Sequence, residues 1–419
     1  MKQTIKCLIT CALVAFLSQP LLADEILDWN KHLFDASVVG ATSPLAMTRI
    51  AAIVHAAVFD AVNGIERRYA PIHVAPDAHP GASRRAAAVQ AAYEILVRVY
   101  PAQKADLDAK LEASLNGIAS EEAVEHSQSI KRGIAWGQTV ANAIWTWRSG
   151  DGINSVLPPY TGVNAIGFWR PTPPGNLPGA GLQFATMTTW VTQSFWQFRP
   201  GPPPLLNSAQ YTDDFNEVKS KGRFNSATRS ADESSYSVFW NSATANSFWN
   251  GVGVDLSNQR HLTFSENAKF FALLNLAMAD AAIGCWDAKY IYIYWRPITA
   301  IVQAANDGNP ATAEDLGWTP LITTPNHPDY TSGHSCVSGA AGKVLSTYFG
   351  DNTPITVFSN VLGTTRSFSS FTVALEEVKN ARIFGGIHFR TACNVGQQLG
   401  INVADYVLRN GLLPVHGKR

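Results

Sequence analysis

Apolar residues recur at helical spacing along most of the chain and rarely alternate in twos. The stretch 42–64 (TSPLAMTRIAAIVHAAVFDAVNG) reads as a helix with Thr42 or Ser43 as cap, Pro44 in the first turn and Gly64 at its end. Ala-rich runs at 83–99, 101–117 and 120–148 continue the pattern. Further helices are expected at 208–221, 228–248, 264–295, 333–349, 371–384 and 388–410, with Tyr290 to Trp295 β-prone. Between 151 and 205 the prolines (Pro158-Pro159, Pro171, Pro173-Pro174, Pro178, Pro200, Pro202-Pro203-Pro204) exclude regular helix and central strand. The aromatics of that segment, Trp169, Phe184, Trp190, Phe195 and Trp196, point to packed coil. The expected fold is mainly α: two helical bundles, 24–150 and 206–419, packed in one globular unit and joined by the Pro/aromatic-rich segment 151–205.

The first residues follow another pattern. Lys2 and Lys6 precede the apolar run Cys7 to Leu17, and Ala23 offers a small residue for cleavage before Asp24. This predicts a secretory signal peptide over 1–23. Its 11 apolar residues are too few for a helix across about 30 Å of hydrocarbon. No later stretch reaches 18 uninterrupted apolar residues, so a periplasmic or secreted protein without a stable membrane span is expected.

Composition narrows the functional classes. Lys+Arg and Asp+Glu are both 32, so bulk positive charge cannot drive nucleic-acid binding. Any anion site must be a local cluster. Beyond the leader, Cys285, Cys336 and Cys393 lack metal-type spacing and allow at most one disulfide; they read as buried free thiols.

Three segments carry candidate chemistry. Lys289 and Arg296 are seven residues apart, two turns with a drift of about 20°, so they share a face if the helix continues. Ser332-Gly333-His334 opens an Ala/Gly-rich helix, where free amides and a hydroxyl suit an anion and a histidine can move protons. Arg382 and His388 flank Gly385-Gly386, a break that lets both converge. Singly these have plainer readings as an exposed basic face, an ordinary cap and a core histidine. Together they give three cations, a backbone amide, a hydroxyl and two histidines, an inventory for a tetrahedral or trigonal-bipyramidal oxyanion.

The order and internal spacing of these blocks resemble the signature shared by vanadium-dependent haloperoxidases and type 2 phosphatidic acid phosphatases. The chain looks most similar to the secreted bacterial haloperoxidases, because it is longer than a minimal single-bundle phosphatase needs. The resemblance implies vanadate held by Lys289, Arg296, Ser332, Gly333 and Arg382, with His388 as axial ligand to the metal. His334 would be the acid–base residue, and the catalytic set His334, His388 and Lys289. Hydrogen peroxide and halide would be the substrates, with an organic acceptor open. In the phosphatase alternative the same pocket holds phosphate, a competing oxyanion, and His388 attacks phosphorus in phosphate monoesters. Trp286 falls where chloride-oxidising members carry a Trp beside the site, and His327 where bromide-oxidising members carry a second His and chloride-oxidising ones an aromatic, which favours bromide or iodide. Two departures stand out: Thr331 replaces the usual Pro, and Ala392 stands where many members carry an Asp that supports the axial histidine. Asn394 or a backbone carbonyl is the expected substitute. A homo-oligomer is compatible with the chain.

Overall fold

The computed structural model describes residues 24–121 and 126–415; the expected leader, 1–23, lies outside them. The described residues begin with five helices: α1 (Glu25–Val39), α2 (Pro44–Glu66), α3 (Arg84–Val99), α4 (Lys104–Ser120) and α5 (Ser127–Ser149). After the connecting coil come α6 (Ala209–Lys221), α7 (Ala231–Phe239), α8 (Ala245–Arg260), α9 (Phe264–Tyr292) and α10 (Pro297–Val302). A long loop leads to α11 (Gly333–Phe349), then a hairpin of β1 (Ile355–Ser359) and β2 (Thr364–Phe368), then α12 (Phe371–Phe384) and α13 (Arg390–Asn410).

The spine of the molecule is α9. Thr263 and Glu266 form a reciprocal capping box at its start. Its residues are then buried on nearly every face from Phe270 to Lys289, as a helix that is apolar all round requires. It packs against α2 of the first bundle on one side and against α11 and α13 on the other. By length and hydropathy α2 and α9 could each cross a membrane, but 83% and 94% of their apolar windows are buried inside the protein. They are core helices here.

The elements that carry the candidate site are held by close backbone packing. Gly400 of α13 faces α11, where an added Cβ would fall 1.9 Å from the Cys336 carbonyl oxygen. Gly400→Ala is therefore expected to cost about 3 kcal/mol of stability, read by urea unfolding. A cost below about 0.5 kcal/mol, the scatter of ordinary surface changes, would contradict this account of the packing.

Several local expectations are corrected. Gly64 lies inside α2, which runs on to Arg67 in the left-handed region at φ 58°. The stretch 228–248 is two helices, because Thr244 caps a new one. The hairpin was not expected from the pattern. The connecting segment is packed coil as expected, with Trp169 fully buried. His55 and Asp60, five residues apart on α2, are both buried but do not pair. His55 bonds Asn30 at 2.9 Å, while Asp60 accepts the Ile72, His73 and Val74 amides.

Candidate active site

Lys289 lies in the last turn of α9. The helix does not continue to Arg296: it stops at Tyr292, Ile293 turns left-handed at φ 53°, and Arg296 becomes the N-cap residue of α10. The two cations are thus brought together by a turn and not by a shared helix face. Ser332 caps α11, accepting hydrogen bonds from the Ser335 amide and, at 3.1 Å, from its hydroxyl. Arg382 lies in the last turn of α12. The chain reverses through Gly385 and Gly386, the latter at φ 79°, and delivers His388 just before α13.

These segments converge on one end of a cavity of about 630 Å³. Gly333, His334, Arg382 and His388 line that end, together with Trp286 and His327. Trp286 and His327 pack with ring centroids 5.1 Å apart. Lys289, Arg296 and Ser332 form the layer behind it, all fully buried.

His388 is held from both sides. Its Nδ1 lies 2.8 Å from Asp329 Oδ1, and its Nε2 lies 3.1 Å from Arg296 Nη1. The Arg296 donor makes Nε2 an acceptor and so places the proton on Nδ1; the Asp329 approach is a close contact and not a hydrogen bond, since neither carboxylate oxygen has a hydrogen-bond partner among the described residues. Arg296 also donates to the Ile387 carbonyl at 2.6 Å, the His327 carbonyl at 2.7 Å and His327 Nδ1 at 2.9 Å. The Lys289 ammonium donates to the carbonyls of Pro328, Asp329 and Thr331. It therefore pins the loop ahead of α11 rather than facing the cavity.

Burial governs the electrostatics. It pulls Lys289 down to about 8 and both Arg296 and Arg382 down to about 10. Burial, reinforced by the neighbouring cations, holds His334 and His388 well below the usual histidine range, so both are neutral at pH 7. Asp329 is pushed up to about 7 by burial, although Arg296 and Lys289 oppose this. Asp329 is thus a weak counter-charge for three buried cations, which leaves the cluster in need of an anion.

The unpaired atoms agree. Arg382 gives Nη2 to Asn241 Oδ1 at 3.1 Å, but its Nε and Nη1 have no partner among the described residues. The Nε2 of His334 is equally unpartnered. Buried polar atoms at the mouth of a cationic cluster fit a bound oxyanion that takes several hydrogen bonds at once.

Two site residues escaped the sequence reading. Asp329 lies 2.8 Å from His388 Nδ1, beside the ring that Ala392 cannot support; Asn394, the expected substitute, is exposed and bonded to Lys379 at 3.2 Å. A carboxylate three residues before Ser332, inside the motif segment, was the available signal. Asn241 carries no local signal. Thr331 turns inward, its hydroxyl 3.2 Å from Cys285 Sγ and 3.3 Å from Cys336 Sγ. All three cysteines are buried and free, as expected.

Comparison with known proteins places this geometry. Residues 269–414 match the family model of the VCPO second helical-bundle domain. Over 195 residues the chain is 27% identical to the vanadium chloroperoxidase of Curvularia inaequalis, covering 39% of this chain and 31% of that protein. The chain thus spans about a third of that relative. The solved structure of a bacterial vanadium-dependent iodoperoxidase superposes with a TM-score of 0.82 at 27% identity, over 96% of this chain and 100% of the other. This is the vanadium haloperoxidase fold. An apo bacterial vanadium-dependent chloroperoxidase shares that fold with a TM-score of 0.69 at 16% identity, over 87% and 92% of the two chains. The matched span contains all nine sequence candidates as well as Asp329, whereas Asn241 lies outside it.

Proposed function

We propose that the protein is a vanadate-dependent haloperoxidase that oxidises halide with hydrogen peroxide to hypohalous acid. The observation that carries this reading is the buried oxyanion cradle: three buried cations and a histidine, His388, whose Nε2 is presented by an Asp329 contact at 2.8 Å. Bound vanadate would supply a Lewis acid for hydrogen peroxide at constant oxidation state.

The chain's own residues have separate tasks. His388 offers Nε2 as the ligand atom. Arg382 and Arg296 hold oxygens of the anion and balance its charge. The Gly333 amide, first in α11, and Ser332 add hydrogen bonds at the helix N-terminus. Lys289 acts from behind, through its charge and through the loop it pins. His334, neutral and with Nε2 free, takes the peroxide proton and returns it to the leaving oxygen.

Asp329 is a positioning residue in this scheme. Asp329→Asn is expected to weaken vanadate binding about 10–100-fold, measured by equilibrium dialysis with folding monitored alongside. An unchanged affinity would remove Asp329 from the site.

Bromide or iodide is the proposed halide, supported by His327 beside Trp286 and by the likeness to a bacterial iodoperoxidase. His327→Phe is expected to shift the iodide-to-chloride rate ratio about tenfold toward chloride. An unmoved ratio would leave His327 without a role in halide choice. We also propose export to the periplasm or beyond, resting on residues 1–23.

The proposal is tested by titrating orthovanadate into phosphate-free protein with bromide, peroxide and a phenol dye, and a chromogenic phosphate ester in parallel. Saturable, vanadate-dependent halogenation is expected, with phosphate acting as a competitor. Ester hydrolysis that vanadate inhibits, without halogenation, would overturn the reading in favour of phosphoryl transfer by the same residues.

A further inference from the structure

Behind the cradle lies a pair of nucleophiles that the proposed reaction does not use. Cys285 lies on α9 one turn before Lys289, and Cys336 lies on α11 one turn after Ser332. Both are fully buried. Their chain neighbours Trp286 and Val337 line the cavity over the site, so both thiols belong to backbone that walls it.

Thr331 joins the two thiols. Its hydroxyl donates to Cys285 Sγ at 3.2 Å and lies 3.3 Å from Cys336 Sγ. A hydroxyl has one proton to give, so the hydrogen-bond chain runs from the Cys336 thiol through Thr331 to the Cys285 sulfur. Cys285 in turn donates to the Thr331 carbonyl at 3.5 Å, and that carbonyl also accepts the Lys289 ammonium. Gly396 of α13 makes room for the second thiol, because a Cβ there would fall 3.2 Å from Cys336 Sγ.

The buried thiols are not equivalent. Burial raises Cys285, but the neighbouring Cys336 thiol and the Lys289 charge outweigh it and bring Cys285 down to about 7. Burial pushes Cys393 up to about 12 and Cys336 well above the usual thiol range. Cys285 is thus the thiol with a substantial thiolate fraction at pH 7, and the thiolate is the nucleophile.

We propose that Cys285 and Cys336 form an oxidation site for hydrogen peroxide, and that the disulfide between them weakens the oxyanion cradle. This rests on the proposed function, which brings peroxide to the cavity, and adds a control on it. Cys285 is the attacking thiol. An S–O bond forms, the peroxide O–O bond breaks, and the thiol proton leaves with hydroxide as water. The Cys336 sulfur then attacks the sulfenic sulfur. An S–S bond forms, the S–O bond breaks, and a second water leaves with the Cys336 proton. The two thiols lose two electrons, and one peroxide is reduced to two waters. An S–S bond is about 2.05 Å long, so two sulfurs that now share one hydroxyl must close on each other. The Thr331 hydroxyl, itself fully buried, then loses both partners. Thr331 leads into Ser332 and Gly333 at the start of α11, and its carbonyl anchors Lys289. Its displacement therefore reaches three of the groups assigned to the anion.

The test starts from reduced protein freed of vanadate, phosphate and halide. It is treated with excess hydrogen peroxide, desalted, and mapped by differential alkylation and mass spectrometry. A peptide linked through Cys285 and Cys336 is expected, with Cys393 still free. Vanadate affinity, read by equilibrium dialysis, is expected to fall about tenfold or more. It should return after treatment with dithiothreitol and its removal, while thermal unfolding confirms a folded protein at each stage. Cys336→Ala should stop at a Cys285 sulfenic acid that dimedone traps, and Cys285→Ala should bind vanadate alike before and after peroxide. Thiols that stay free under peroxide, a link that leaves affinity unchanged, or a loss of affinity that persists in folded Cys285→Ala each overturns the proposal. Halide oxidation by a protein whose vanadate affinity ignores peroxide sinks the thiol switch alone. Reduced protein that binds no vanadate sinks the haloperoxidase reading, and the same comparison made with inorganic phosphate then decides the switch.

Discussion

Replacing His388 with alanine is expected to abolish halide oxidation, by at least ~10³-fold, and to release vanadate from the protein. Among the described residues there is no group of three or more His, Cys, Asp or Glu that could hold a metal ion. Of the other groups assigned to the anion, Lys289, Arg296 and Arg382 are cations and Gly333 and Ser332 give an amide and a hydroxyl, which address oxygens. In this account His388 Nε2 would make the single bond from protein to vanadium. The rest of the cradle should survive the change, because Arg296 keeps its contacts with the Ile387 and His327 carbonyls. Equilibrium dialysis with orthovanadate, together with an iodide oxidation assay, separates the outcomes. A His388→Ala protein that is folded and still retains vanadate at wild-type affinity would contradict the ligand assignment.

His334→Ala is expected to behave differently. It should lower kcat about 10²–10⁴-fold while vanadate affinity changes little. The reason lies in what His334 touches. The residue lines the cavity end, and its buried Nε2 has no partner among the described residues. Burial and the nearby Arg382 charge keep it neutral at pH 7, ready to accept a proton. A bound oxyanion brings negative charge and moves its titration upward, so the acid limb of the wild-type kcat profile belongs to this group. That limb should flatten in the variant. Loss of vanadate binding together with activity would make His334 a holder of the anion and not a proton carrier.

Local chemistry explains which parts were legible in the sequence. The bounds of α11 and α12 were readable because Ser332 and Ser370 cap them and Gly350 and Gly385 follow their ends. The three motif blocks were readable because each pairs a charged or nucleophilic side chain with a glycine or proline that shapes the backbone. What failed depended on tertiary context. Nothing local places Ile293 in the left-handed region, so the helix break that turns Arg296 inward was missed. The strong helical pattern of 228–248 hid the break before Thr244, which caps a new helix. Asp329 looked like a loop carboxylate until its distance to His388 was known. Ala392 gave the mirror error: its missing carboxylate suggested an unsupported histidine, while support came from 59 residues upstream of His388 in sequence.

The central claim is that vanadium binds His388 Nε2 inside the cradle formed by Arg296, Arg382, Ser332 and Gly333. Crystals grown without phosphate, soaked in orthovanadate and measured at the vanadium absorption edge test it most directly. A single anomalous peak within bonding distance of His388 Nε2, with oxygens facing the Arg382 guanidinium and the Gly333 amide, is the expected result. A fully soaked crystal with no peak there, or with the peak elsewhere on the protein, would contradict it.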